Sequence, residues 1–315
     1  MMGRSLTFTL MAMLLICCQR KASKKYDPSQ IDRERIDMVF GHDVSKVLLD
    51  HLYIVVDSLT YARLTTNRNF KNNYASLDIG LPDFKPLNGT TSTCYLRGHK
   101  HYIEILGPQN TYGEPIGKSG IGFSLRNKGE YFHLGVTPKL KRPGTPYLSM
   151  SETVHMPFGK NSATWFKAFY TPSEGTALQT WYAFYNPAFL DSLHQTEHHE
   201  YSREEFLKNS YSKKQLFQGI RSIEMTCTPK DYERIAQEMR HLGCALWEKN
   251  DKTLTIASGD VIITITPSNS IKFSRITHIR CVLNAVDTSV TQLGNLTITN
   301  KGTESIWNLE NLYED

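Results

Sequence analysis

One carboxylate stands where a carboxylate is costly. In "HYIEILGP" (101–108), Tyr102, Ile103, Ile105 and Leu106 suit a half-buried strand, Gly107 and Pro108 end it, and Glu104 lies in its middle. An acid there must be paired or bound to a metal, because desolvating it alone is unfavourable. Other groups with chemical potential are scattered. "HQTEHHE" (194–200) is rich in metal-ligating types but sits in a polar run, which reads as a solvated connector able to take a metal adventitiously. Beyond the N-terminal segment, Cys94, Cys227, Cys244 and Cys281 lie far apart with no CxxC spacing. They read as buried thiols, or as one or two bridges in an oxidising compartment, and not as a zinc site.

Composition narrows the partners. The chain has 315 residues, 40% apolar and 21% charged, which is a globular balance with an ample core and room for two domains or one composite domain. The formal net charge is +5, but the bases are spread among acids, and the two small clusters (19–25 and 139–143) carry no interleaved aromatics. Nucleic acid is therefore not an expected partner. Residues 1–25 form a targeting segment and flank: Arg4 precedes the apolar run 6–16, too short for an ordinary transmembrane helix. The run ends in "LLICCQRK", which resembles a bacterial lipoprotein signal with Cys18 as the lipidated residue. A plain secretory signal is the alternative. Both place the mature protein outside the cytoplasm, either lipid-anchored at the bacterial cell envelope, with membrane contact only through the N-terminal anchor, or periplasmic or secreted.

The elements that must position Glu104 recur. "DHLYIVVD" (50–57) reads as a strand, a helix follows with Asp57 or Ser58 as its cap, and strands follow at 92–98 and 101–107. A similar order appears from 220: a strand, a helix opened by Thr228 and Pro229, and three short strands to 267. In that helix Tyr232, Ile235, Met239 and Leu242 make an apolar stripe. A more distorted copy runs through 119–127, 163–170 and 179–187, and strands at 276–284 and 295–309 make a shortened fourth. The closing strands end at Pro108, Pro187 and Pro267, 79 and 80 residues apart, as internal repetition would give. The fold class is α+β, built from repeated βαβββ modules. A module pair at 37–190 and a degenerate pair at 216–315 are joined by a polar linker, 191–215, with one short helix capped by Ser202 and Glu205.

Paired βαβββ modules, "DH" heading the first strand and "YIE" in the fourth resemble the vicinal-oxygen-chelate superfamily of glyoxalases and extradiol dioxygenases. The motifs "DHLYIVVD", "HYIEILGP", "SGIGFSL" and "TWYAFYNP" are similar to those of glyoxalase-like domains in exported bacterial proteins. The resemblance implies incomplete, cup-shaped barrels with a divalent metal (zinc, iron, manganese or nickel) held inside by ligands from the first and fourth strands. It assigns His51 and Glu104 as ligands, with Glu104 also a candidate base. In the second module it finds only Gly120 or Ile121 and Ala183 or Phe184, and in the C-terminal pair Ser222 and Ile263. His155, in "ETVHMPFG", is the best spare ligand, and Tyr53 and Tyr102 are expected to line the pocket.

Two functions follow. One is a metal-dependent lyase, isomerase or dioxygenase acting on a small molecule. The other is a non-catalytic envelope protein, ligand-binding or structural, whose site is a relic. A structural account of the same residues pairs His51 with a carboxylate, and Glu104 with His51, Tyr102 or Lys100.

Overall fold

The computed structural model describes residues 44–127, 150–170, 178–241, 245–249 and 252–313. Cys18, the leader, Leu242 and Cys244 lie outside them. The β-rich sequence of β1 (Val44–Val55) leads into helix α1 (Ser58–Thr66), which starts where the Asp57 carboxylate accepts the Thr60 backbone N–H at 2.9 Å. Strands β2 (Ser76–Asp78), β3 (Thr93–Arg97) and β4 (Tyr102–Leu106) complete the first module. The second contributes β5 (Ser119–Asn127), β6 (Met150–Phe158), β7 (Asn161–Tyr170) and β8 (Leu178–Tyr185).

These strands form one open sheet in the order β2-β3-β4-β1-β5-β8-β7-β6. In each half the first strand runs parallel to the fourth, β1 with β4 and β5 with β8. The halves meet where β1 runs antiparallel to β5, with His51 opposite Gly122. The second sheet repeats the plan. Strand β9 (Phe217–Cys227), a helix over Pro229–His241, β10 (Ala245–Lys249), β11 (Leu254–Ser258) and β12 (Val261–Pro267) form its complete module. The shortened copy is β13 (Arg275–Asp287), β14 (Val290–Leu293) and β15 (Leu296–Asn308), giving the order β10-β11-β12-β9-β13-β15-β14. The molecule is thus α+β, with repeated modules in open, cup-shaped sheets.

One continuous apolar cluster joins the two sheets. It takes Ile54, Ile103, Ile105 and Phe123 from the first, and Ile223, Met225, Ile263 and Ile265 from the second. Ile263, expected in the second cup, is therefore a core residue. The other face of the first sheet gathers Tyr102, Phe166 and Tyr185 around Phe189, Tyr201 and Phe206. Tyr201 and Phe206 belong to the segment expected to be a polar linker, and Phe189 lies just before it. The chain here carries two short helices, α2 (Pro187–His194), which begins before that segment, and α3 (Arg203–Leu207), inside it, and packs these aromatic residues against the cup. Ser202 caps α3 by accepting the Glu205 N–H at 3.1 Å. Cys94, Cys227 and Cys281 are buried free thiols.

Candidate functional site

The site begins with a break in alternation. Leu49 faces Phe123 and His51 faces Gly122 across β1 and β5, so Asp50 is one extra residue, a β-bulge. Leu49 and Leu52 both enter the intersheet core, and Asp50 joins His51 on the cup side. His51 Nδ1 lies 3.0 Å from Asp50 Oδ2, and the Tyr185 hydroxyl donates to the same oxygen at 2.5 Å. Burial pushes the Asp50 carboxyl up, but the His51 and Tyr185 hydrogen bonds and the nearby Arg203 guanidinium outweigh it and hold the group below its ordinary value. The imidazole stacks on Tyr102, with ring centroids 4.3 Å apart, and meets Trp181 edge-on at 5.0 Å. Sequence reasoning missed Asp50. Its one signal was an acid beside a histidine in an otherwise apolar strand.

Glu104 lies one step along the same face. In the parallel register Tyr102 faces His51 and Glu104 faces Tyr53. The Tyr95 hydroxyl donates to Glu104 Oε1 at 3.0 Å, and the Tyr53 hydroxyl donates to Gln179 at 3.2 Å. Burial pushes the Glu104 carboxyl above its ordinary value. The His51 charge, the Tyr95 hydrogen bond and Arg97 pull it back without cancelling that effect. Arg97 is held by Asp78 in a bidentate pair (2.8 and 2.9 Å), and its guanidinium lies 4.7 Å from the Tyr95 ring and 4.8 Å from the Tyr102 ring. Gly80, at φ +88°, lets Tyr95 approach, since a Cβ there would stand 2.6 Å from the ring. Glu104 thus takes its hydrogen bond from Tyr95. Among the partners considered for it, Tyr102 stacks on His51 and Lys100 pairs with Asp260.

The two-fold relation between modules sets Gly122 against His51 and Ala183 against Glu104, because β5 and β8 pair Gly122 with Trp181 and Ser124 with Ala183. Neither has a donor, and the Trp181 indole fills the space over Gly122. His155 is exposed on β6 at the far edge of the sheet, next to the Thr164 hydroxyl at 3.2 Å, so it does not join His51 and Glu104. Two of the three histidines of 194–200 are taken up locally: His194 Nε2 meets the Glu205 carbonyl at 2.8 Å and His198 Nδ1 meets Asp191 at 3.1 Å. In the second sheet the exposed face carries Glu224 with Arg280 (3.0 Å) and His278 (3.7 Å), an ion-paired solvated surface. Among the described residues no group of three or more His, Cys, Asp or Glu is arranged to hold a metal ion. A two-residue donor set does not fit the three or four protein ligands that the resemblance implies.

Comparison with curated proteins finds no match. Among solved structures, a hypothetical protein from Staphylococcus aureus is similar at 12% identity and a TM-score of 0.43, over 73% of this chain and 88% of that one. A xylose isomerase-like TIM barrel/4-hydroxyphenylpyruvate dioxygenase fusion protein is similar at 13% and 0.40, over 75% and 36%. A triple mutant of 4-hydroxymandelate synthase from Streptomyces coelicolor is similar at 9% and 0.34, over 75% and 70%. The sequence itself matches a family over residues 49–309, a span that takes in His51, Glu104 and most of both sheets, and on that match the chain belongs to the family of unknown function DUF5829.

Proposed function

We propose that the first cup binds a small carbonyl compound and moves a proton on it, with His51 and Glu104 as the acting pair. The observation that carries this reading is an imidazole backed by a carboxylate, its Nε2 without a hydrogen-bond partner among the described residues, on the same face as an acid of raised proton affinity. His51 Nε2 takes a proton from the carbon beside the carbonyl. The C–H electron pair becomes a C=C bond, and the carbonyl oxygen takes the Glu104 proton to give an enol. Where the deprotonated carbon bears a hydroxyl, that hydroxyl returns its proton to Glu104 as the former carbonyl carbon takes the proton from His51, which gives an isomer. Where the next carbon bears a leaving group, the enol returns its O–H proton to Glu104, re-forms C=O and expels the group, which takes the His51 proton, giving a lyase product. Tyr53, Tyr102 and Trp181 wall the site, a largely apolar lining with a few convergent polar groups.

A non-catalytic binding protein is the second reading. The observation favouring it is that the positions related to His51 and Glu104 in the second module are Gly122 and Ala183, which have no ligating side chain. In either case the protein works at the cell envelope, anchored through Cys18. The apolar run at 6–16 supports that placement, and it is checked by lipid labelling of the wild type against Cys18→Ala.

The test is a thermal-shift screen of small carbonyl compounds, hydroxy acids and phenols, with and without zinc, iron(II), manganese or nickel, on the wild type, His51→Ala and Glu104→Gln. A true ligand at a hundredfold excess over its Kd stabilises by about 2.7 kcal/mol. The expected result is a compound that raises the wild-type Tm and loses its effect in both variants. Compounds that stabilise all three proteins equally would remove the site from consideration. Deuterium incorporation into the hit from D2O, seen by NMR, marks the enzyme and its absence the binder.

A further inference from the structure

Asp50 belongs to no ligand set that the sequence suggests, yet the chain inserts an extra residue to bring it to His51. We propose that Asp50 is the positioning residue for His51: it fixes the imidazole as the Nδ1–H tautomer and presents the Nε2 lone pair to the cup. A carboxylate can only accept. Asp50 Oδ2 already receives the Tyr185 hydroxyl at 2.5 Å, so the His51 nitrogen 3.0 Å away must be the donor. The ring has little freedom to turn and reverse the assignment. Its face is stacked on Tyr102 at 13° between planes, and its edge meets Trp181 at 60°. The His51 side chain is only 9% exposed, and Nε2 has no partner among the described residues. Nε2 is not an enclosed atom, so a ligand or water can reach it.

The consequence for recognition is specific, and it rests on the proposed function for its chemistry. The ligand atom that meets His51 must carry hydrogen: a hydroxyl, an N–H, or the acidic C–H beside a carbonyl. A carbonyl oxygen fits Glu104, not His51. Tyr185 then has a defined place too, as the group that holds Asp50 from the opposite module without touching the imidazole.

The experiment reads the tautomer directly in the ligand-free protein, so it stands or falls separately from the ligand screen. Imidazole 15N spectra are recorded at about pH 8, where an ordinary histidine is neutral, with the His51 signals assigned by loss in His51→Gln. The wild type is expected to show protonated Nδ1 and bare Nε2. Asp50→Ala, which leaves Nδ1 no acceptor, is expected to move His51 to the Nε2–H form. Tyr185→Phe, which removes the other partner of Asp50, is expected to keep Nδ1–H, and Asp50→Glu to restore it. Nε2–H in the wild type, or Nδ1–H retained in Asp50→Ala, would overturn the assignment. Should Asp50→Ala fail to fold, the wild-type and Tyr185→Phe spectra decide alone. With a turned-over compound in hand, Asp50→Ala is expected to lower kcat by about a hundredfold with little change in KM, a split that loss of packing alone would not produce.

Discussion

Glu104 is held where ionisation is disfavoured, and that has a measurable sign. Burial raises its proton affinity above the ordinary value of 4.5, and the Tyr95 hydroxyl, the His51 charge and Arg97 oppose this only in part. A carboxyl whose folded-state value is raised contributes stability that is fully present below 4.5 and is lost as pH rises through the raised value. Gln keeps the shape and an acceptor for Tyr95 while removing the charge. Glu104→Gln is therefore expected to be more stable than the wild type at pH 8, with the difference shrinking on acidification and vanishing below 4.5, as followed by urea unfolding across that range. A variant less stable than the wild type at pH 8 would mean that the ionised acid is stabilised by its surroundings. A group kept at a thermodynamic disadvantage is what a binding or catalytic site often requires.

At the scale of elements, the βαβββ order and the cup-facing side of Glu104 were legible, because alternation along β4 and the proline spacing both report on the backbone alone. The bulge at Asp50 was not. It shifts the phase of β1 by one residue, and residue types near 50 do not reveal a slip set by the pairing with β5. The same slip makes Gly122, and not Gly120 or Ile121, the partner of His51. The packing of the linker was hidden for another reason. Tyr201, Phe206 and Leu207 are buried by residues from β4, β7 and β8, and local polarity carries no trace of those contacts. The glycines of β5 record the missing half of the site: a Cβ on Gly122 would lie 2.4 Å from the Trp181 indole. Gly122→Ala is expected to cost about 1–3 kcal/mol through that overlap and to alter the near-ultraviolet dichroism of Trp181. Gly89→Ala, with nothing within 4 Å of the added carbon, is the control and is expected to stay within about 0.5 kcal/mol of the wild type.

For the whole molecule, the question is whether two sheets make two independent units. Three features tie them together. The apolar cluster runs unbroken from one to the other. His101, on the turn into β4, accepts the Ile220 N–H of β9 at 3.1 Å, and Arg203 from α3 reaches His101, Asp260 and the Leu49 carbonyl. The third tie is ionic and fully enclosed. Arg234, on the helix after β9, donates to Glu238 at 2.7 Å, to the Thr180 hydroxyl at 2.7 Å and to the Leu178 carbonyl at 3.3 Å, the last two on β8. The Thr180 and Tyr182 hydroxyls donate in turn to Glu238. Buried pairs of this kind are weak evidence for net stability, but removing one partner strands the other. Arg234→Met is therefore expected to destabilise by about 3–5 kcal/mol, since it leaves Glu238 enclosed without its cation. Because the network spans both sheets, the loss should appear as a lower midpoint of one transition in calorimetry, with calorimetric and van't Hoff enthalpies still equal. Two resolved transitions in the wild type, or a variant in which only the second sheet melts early, would show that the module pairs are coupled less tightly than these contacts require.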